Sequence, residues 1–134
     1  MKKVFYNSVL ANTLLWDGYI AITIFAFVLI KGKTAPQSII NHECTHARQW
    51  SELAILTGII TWFLMIIFNI SAWWILLSMV SFYALYVIEW IFKCILYGTK
   101  EAYHYISFEK EAELAENNDD YLENSNYFAW MKFV

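Results

Sequence analysis

The sequence is short of almost everything that interrupts a helix. Its 134 residues include one proline and four glycines, and only 16% of them are charged. Pro36 is the single proline, so no later helix is broken by a residue that lacks a backbone donor. Two cysteines, Cys44 and Cys94, form no disulfide pattern and exclude a disulfide-stapled scaffold. Cys44 is expected to be a small core residue, and both thiols to stay reduced on a cytoplasmic face. Arg48 is the only arginine, and the formal net charge is −3. With no basic stripe, a nucleic-acid partner is excluded. No internal repeat or low-complexity run is present, and the length fits a single domain, 1–134.

What is abundant is apolar surface: 60% of the residues are hydrophobic and 19% aromatic, seven of them Trp. Leu53 to Ile88 is a run of 36 residues without a charge. One membrane span needs about 20 apolar residues, so this run suffices for a tight helical hairpin. Asn69 and Ser71 suit its turn, with Trp73 and Trp74 suited to a membrane interface. The expected spans run from about 54 to 68, continuing an upstream helix, and from about 73 to 92. Lys2, Lys3, Lys31, Lys33, Arg48, Lys93 and Lys100 all lie away from the tip, which places the tip outside and the rest in the cytoplasm of an inner or plasma membrane.

Just upstream lies His42-Glu43-Cys44-Thr45-His46, a His-Glu-x-x-His motif. Residues four apart share a helix face, so both imidazoles point the same way and can bind Zn²⁺. Glu43 is displaced around the helix, where it can reach a metal-bound water as a general base. The motif must be helical. Thr34 as cap, Pro36 in the first turn and Gln37 at the third position predict a start just before it.

Catalytic zinc usually has three protein ligands. His104 is a candidate for the third. Glu109 leads it, on a helix predicted from about Tyr103 to Asn117, with Glu113 on the same face. Glu111 lies about 200° around that helix from Glu109, so both cannot be ligands.

His42-Glu43-x-x-His46 with Glu109-x-x-Ala112-Glu113 resembles the gluzincin metallopeptidases, and within them the membrane branch of HtpX-like proteases and prenyl-protein peptidases. Asn41-His42-Glu43 with Phe108-Glu109-Lys110-Glu111-Ala112 also resembles a group of small bacterial membrane proteins. The gluzincin resemblance implies His42, His46 and Glu109 as zinc ligands and Glu43 as base. It puts Glu113 where the branch usually has Asp supporting a ligating His. The match covers these two motifs and the membrane context, and the chain is far shorter than those enzymes.

Tyr19 to Ile30 is apolar but bounded by Asp17 and Lys31, too short for a standard span. Its β-branched and aromatic residues favour a strand, with a short membrane helix as rival. In zincins an edge strand precedes the motif helix and pairs with extended substrate, and that resemblance selects the strand. No cleavable signal site follows it.

Glu89, at the end of the uncharged run, is expected at the interface near Lys93, ahead of pairing with Arg48 or joining the metal shell. His104, Tyr103, Tyr105 and Arg48 are the available oxyanion donors. Gln49 and Trp50 are expected in the membrane-proximal core. The polar 117–120 segment should be a loop, and the aromatic tail from Tyr121 should dock on the membrane or across the domain.

The expectation is thus a mainly α-helical integral membrane protein with a minimal zincin-like domain. Its parts are a motif helix, a transmembrane hairpin at about 54–92, a C-terminal Glu-bearing helix and a short N-terminal β edge strand. Its function is expected to be zinc-dependent hydrolysis of a peptide or membrane-protein segment at the cytoplasmic membrane surface, with Glu43 and His104 catalytic and His42, His46 and Glu109 on the metal. The rivals are a zinc-stapled protein without activity, a metal-free membrane module, and a hydrolase of lipid-linked substrates.

Overall fold

The computed structural model describes residues 3–16 and 18–134. Lys2 and Asp17, used above for topology and for bounding the apolar segment, lie outside the described residues. Helices make up 66% of the structure, and one three-stranded sheet accompanies them.

The N-terminal part contains β1 (Val4–Phe5), α1 (Val9–Leu14), β2 (Ala21–Ile24) and β3 (Phe27–Ile30). The sheet order is β1-β3-β2, with β1 parallel and β2 antiparallel to β3. The expected single strand over 19–30 is therefore a hairpin, turned at Phe25 and Ala26. Phe25 adopts φ 56°, a conformation few non-glycine residues take up. Neighbouring contacts hold it there: its N–H donates to the Tyr83 hydroxyl at 2.8 Å, and its ring lies 5.4 Å from that of Trp50.

α2 runs unbroken for 32 residues, Gln37–Phe68, a length of about 48 Å at the usual helical rise. It carries both the His-Glu-x-x-His motif and the first apolar segment. The predicted start is off by a few residues: Pro36 stands at the cap position without a side-chain cap, and Thr34 lies outside the helix. α2 ends at Asn69 in the left-handed conformation, φ 51°. A 3-10 turn, Ala72–Ile75, leads into α3, Leu76–Tyr97, which continues five residues past the expected boundary at Phe92. Trp50 Nε1 donates to Met79 O at 2.9 Å, and Thr57 Oγ1 lies 3.2 Å from Ser81 Oγ, tying the pair together. Both helices are long and apolar enough to cross a membrane. Ile59, Phe63, Ile67, Val87, Ile91 and Ile95 stand exposed on their outer faces.

The predicted helix over 103–117 is broken in two. A 3-10 turn, Ala102–Tyr105, precedes extended Ile106, and α4 begins only at Ser107 and ends at Ala115. Glu89 of α3 explains the break. Its carboxylate accepts the Ser107 N–H at 2.8 Å and the Ser107 hydroxyl at 2.6 Å, capping α4 from a neighbouring helix. Lys93 is 3.6 Å from Glu89, as expected, and Glu89 meets neither Arg48 nor the metal-type group described below.

The tail forms α5 (Tyr121–Asn124) and a 3-10 turn, Ala129–Phe133, and docks across the domain. Trp130 packs 4.5 Å from Phe108. Two cores flank the motif along α2. One joins Ala21, Val28, Ile30, Ile40 and Cys44, and the other Leu53, Phe82, Ile106, Phe108 and Trp130. Phe108 touches helix, turn and tail at once and is fully buried. Phe108→Ala is expected to destabilise the fold by about 3–5 kcal/mol, read as a lowered Tm in detergent. An unchanged Tm would mean that the second core does not hold the tail.

Candidate metal centre

α2 and α4 cross so that three side chains meet. His42 and His46, one turn apart on α2, face Glu109 in the first turn of α4. The two Nε2 atoms are 3.1 Å apart. His42 Nε2 lies 3.4 Å from Glu109 Oε2, and His46 Nε2 lies 3.3 Å from Glu109 Oε1. Among the described residues these three form a group whose ligand atoms all lie within 4.8 Å of one another, which could hold a metal ion. Of the three candidates for the third position, the structure brings Glu109 to the histidines and leaves His104 and Glu111 elsewhere.

The far side of each ring is engaged. His42 Nδ1 is 2.9 Å from Glu116 Oε1, and His46 Nδ1 is 2.9 Å from Gln49 Oε1. Both are acceptor oxygens, so each Nδ1 carries its proton and each Nε2 is left to bind a metal ion or a second proton. Supporting His42 is thus the part of Glu116, and Glu113 does not play it. Glu113 instead meets exposed His104 at 3.1 Å, and that hydrogen bond raises the imidazole above its usual range.

Glu109 is buried, and burial alone pushes its carboxyl up. Contacts with His42 and His46 outweigh this and hold it below the usual carboxylate range, so it is an anion at neutral pH. Tyr86 of α3 donates to Oε1 at 2.6 Å, while Oε2 is buried with no hydrogen-bond donor. A buried carboxylate oxygen without a donor, 3.4 Å from an imidazole nitrogen, suits a bound cation.

The group forms one wall of a cleft of about 450 Å³. Glu43 lines the same cleft, one position along α2 from His42. Thr23 of β2 holds it, with Oγ1 2.7 Å from Glu43 Oε2 and 2.8 Å from its carbonyl oxygen. The cleft is also lined by Leu14, Trp16 and Tyr19, and by Phe82, Tyr83 and Tyr86 of α3. Tyr103 also lines the cleft. Partial burial and the nearby Glu109 charge push its hydroxyl up, so it remains a proton donor. His104, expected in a catalytic role, does not line the cleft. Tyr105 stacks on Tyr97 at 4.0 Å, and Arg48 faces the tail.

β2 borders the cleft with its open edge. Lys31 N–H donates to Ile20 O at 2.9 Å, which sets the parity of the β2–β3 ladder. With Ile22 opposite Leu29 and Ile24 opposite Phe27, the backbone groups of Ala21 and Thr23 point away from β3 toward that edge.

Comparison of the chain with family models, with curated proteins and with solved structures finds no match.

Glu116→Gln keeps an acceptor but removes the charge on the His42 support. It is expected to weaken metal binding by about tenfold, whereas His104→Ala should leave it unchanged. Competition with a chromophoric chelator checks both, and a loss in His104→Ala would put that ring back in the site.

Proposed function

We propose that the protein is a membrane zinc metallopeptidase of gluzincin-like design. One observation carries this reading: two imidazoles and a buried carboxylate converge on the wall of an open cleft, beside a second carboxylate, Glu43, that takes no part in the group. Zinc–ligand bonds of about 2.0–2.1 Å in a tetrahedron separate neighbouring ligand atoms by roughly 3.3–3.4 Å. Here the two Nε2 atoms are 3.1 Å apart, and each lies near a different Glu109 oxygen, His46 3.3 Å from Oε1 and His42 3.4 Å from Oε2. Two imidazole nitrogens with one carboxylate favour zinc over magnesium or calcium, which prefer all-oxygen shells.

Zinc bound there supplies a Lewis acid and lowers the pKa of water from its bulk value to about 7. The remaining work falls to the chain. Glu43, oriented by Thr23, takes the proton of the attacking water and returns it to the leaving amine. The Tyr103 hydroxyl, kept protonated, is the donor placed to stabilise negative charge developing on the carbonyl oxygen. Ala21 and Thr23 offer main-chain hydrogen bonds to an extended peptide lying along β2. Phe82, Tyr83 and Tyr86 offer apolar contact to its side chains.

The substrate class follows from where the cleft lies. Beyond Tyr86, α3 continues for eleven residues to Tyr97, about 16 Å. Ile88, Ile91, Phe92, Ile95 and Leu96 are exposed along that stretch. The cleft thus sits beside apolar helix surface rather than past its end, suiting a polypeptide segment presented by the bilayer. The basic residues away from the hairpin tip support a cytoplasmic site.

The deciding experiment pairs metal analysis with a substitution. Protein purified in detergent should contain about one zinc per chain, lost in His46→Ala and Glu109→Ala. Affinity should fall as pH drops, because protons compete with the metal ion for the ligand nitrogens. Glu43→Gln should keep the zinc and lose hydrolysis of membrane-derived peptides by a factor of about a hundred or more. Full activity in Glu43→Gln, or no zinc in wild type after zinc is supplied, removes the peptidase reading.

A further inference from the structure

A polar path, buried where it begins, leaves the metal-type group at residues that do not line the cleft. It starts at Gln49, which is fully buried three residues after His46. The Gln49 amide nitrogen donates to Phe108 O at 3.0 Å and to Glu111 Oε2 at 2.9 Å. Those two acceptors engage both of its protons, so its oxygen must face His46. A flipped amide would set oxygen against a carbonyl and a carboxylate. Glu111, also fully buried, offers its other oxygen to Arg48 Nη2 at 2.9 Å and to the Tyr121 hydroxyl at 3.4 Å. Arg48 donates further to Leu122 O at 3.1 Å and Asn126 O at 3.3 Å. Glu52, 3.3 Å from Arg48 Nε, accepts the Phe128 N–H at 3.0 Å. His46 is thereby joined to the tail residues 121–128 by an unbroken series of hydrogen bonds and ion pairs.

We propose that this path couples the metal centre to the docked C-terminal tail, with Gln49, Glu111 and Arg48 as positioning residues for His46. The inference rests on the reading that His42, His46 and Glu109 bind a metal ion. Gln49 and Glu111 are fully buried and satisfied only while their neighbours, half-buried Arg48 among them, hold their orientation, so the members stand or fall together. Arg48 matters as a fork: it serves a carboxylate and two tail carbonyls at once, which an ammonium on a flexible stem does less well. A metal ion that fixes the His46 ring therefore favours the docked tail. By reciprocity, the docked tail raises metal affinity by the same factor.

The test uses the full chain in detergent, with Zn²⁺ as the probe. Zinc affinity is measured by chelator competition, and amide hydrogen exchange over 121–128 is followed with and without zinc. In wild type, zinc is expected to slow exchange in this tail segment. Glu111→Gln leaves one oxygen where two are needed and is expected to weaken zinc binding about 10- to 100-fold. It should also abolish the zinc-dependent part of the tail protection. Arg48→Lys should act in the same direction. If Glu111→Gln fails to fold, the wild-type exchange experiment and Arg48→Lys still decide the matter. Zinc bound by wild type with tail exchange unchanged overturns the coupling and leaves the metal reading standing. Unchanged zinc affinity in folded Glu111→Gln or Arg48→Lys does the same. A wild type that binds no zinc overturns the metal reading, and the coupling with it.

Discussion

Burying the Glu109 carboxylate against two imidazole nitrogens is the constraint around which this molecule is organised. An anion in a low-dielectric interior is tolerated only beside positive charge and donors. Here Oε1 has the Tyr86 hydroxyl and His46 Nε2, and Oε2 lies 3.4 Å from His42 Nε2. The outer nitrogens of both rings are committed to Glu116 and Gln49, so the inner ones cannot turn away to relieve the crowding. Three helices hold the arrangement: α2 carries the rings, α4 the carboxylate and α3 the tyrosine.

That α2 is one uninterrupted helix gives the constraint its setting. The same 32 residues carry the histidines at one end and apolar outward-facing residues at the other. A rigid helix fixes the distance between the two, so the position of the apolar band also fixes the level of the site. α3 returns alongside, and Glu89 on it decides where α4 begins. Had α4 started at Tyr103 as its local sequence suggests, Glu109 would stand at a different helical phase. The carboxylate that caps α4 is thus part of what aims the one at the metal-type group.

Much of this was readable in the residues. Four-residue spacing put His42 and His46 on one face, and the roughly 200° offset of Glu111 separated it from Glu109. The scarcity of helix breakers made the long helices legible. Other features were hidden for physical reasons. On a helix, a seven-residue step returns within about 20° of its start and a four-residue step misses by about 40°. By that measure Glu116 lies closer to the Glu109 face than Glu113 does, and the expected support role passed to the wrong residue. Gln49 is buried as expected, but its hydrogen bond to His46, three residues away, has no marker in the local pattern. The turn at Phe25 and Ala26 contains no Gly, Asn or Asp, so nothing local marked a hairpin, and its φ of 56° is held by Tyr83 from a distant helix. The displacement of His104 depends on Glu89, which no local pattern near residue 104 reveals.

The contrast between a structural and a catalytic metal site bears most directly on function. A structural zinc site is closed, with four protein ligands excluding water. Among the described residues the group here has three, and it borders a cleft rather than a sealed core. Glu43 stands in that cleft, held by a strand hydroxyl, although a staple has no use for a second oriented carboxylate. An unpaired strand edge beside it adds backbone donors and acceptors that a sealed site would leave unsatisfied. A staple accounts for the two rings and Glu109. It leaves the bordering cleft, the oriented Glu43 and the open edge of β2 without a use, and the proposed hydrolysis of an extended peptide gives each of them one.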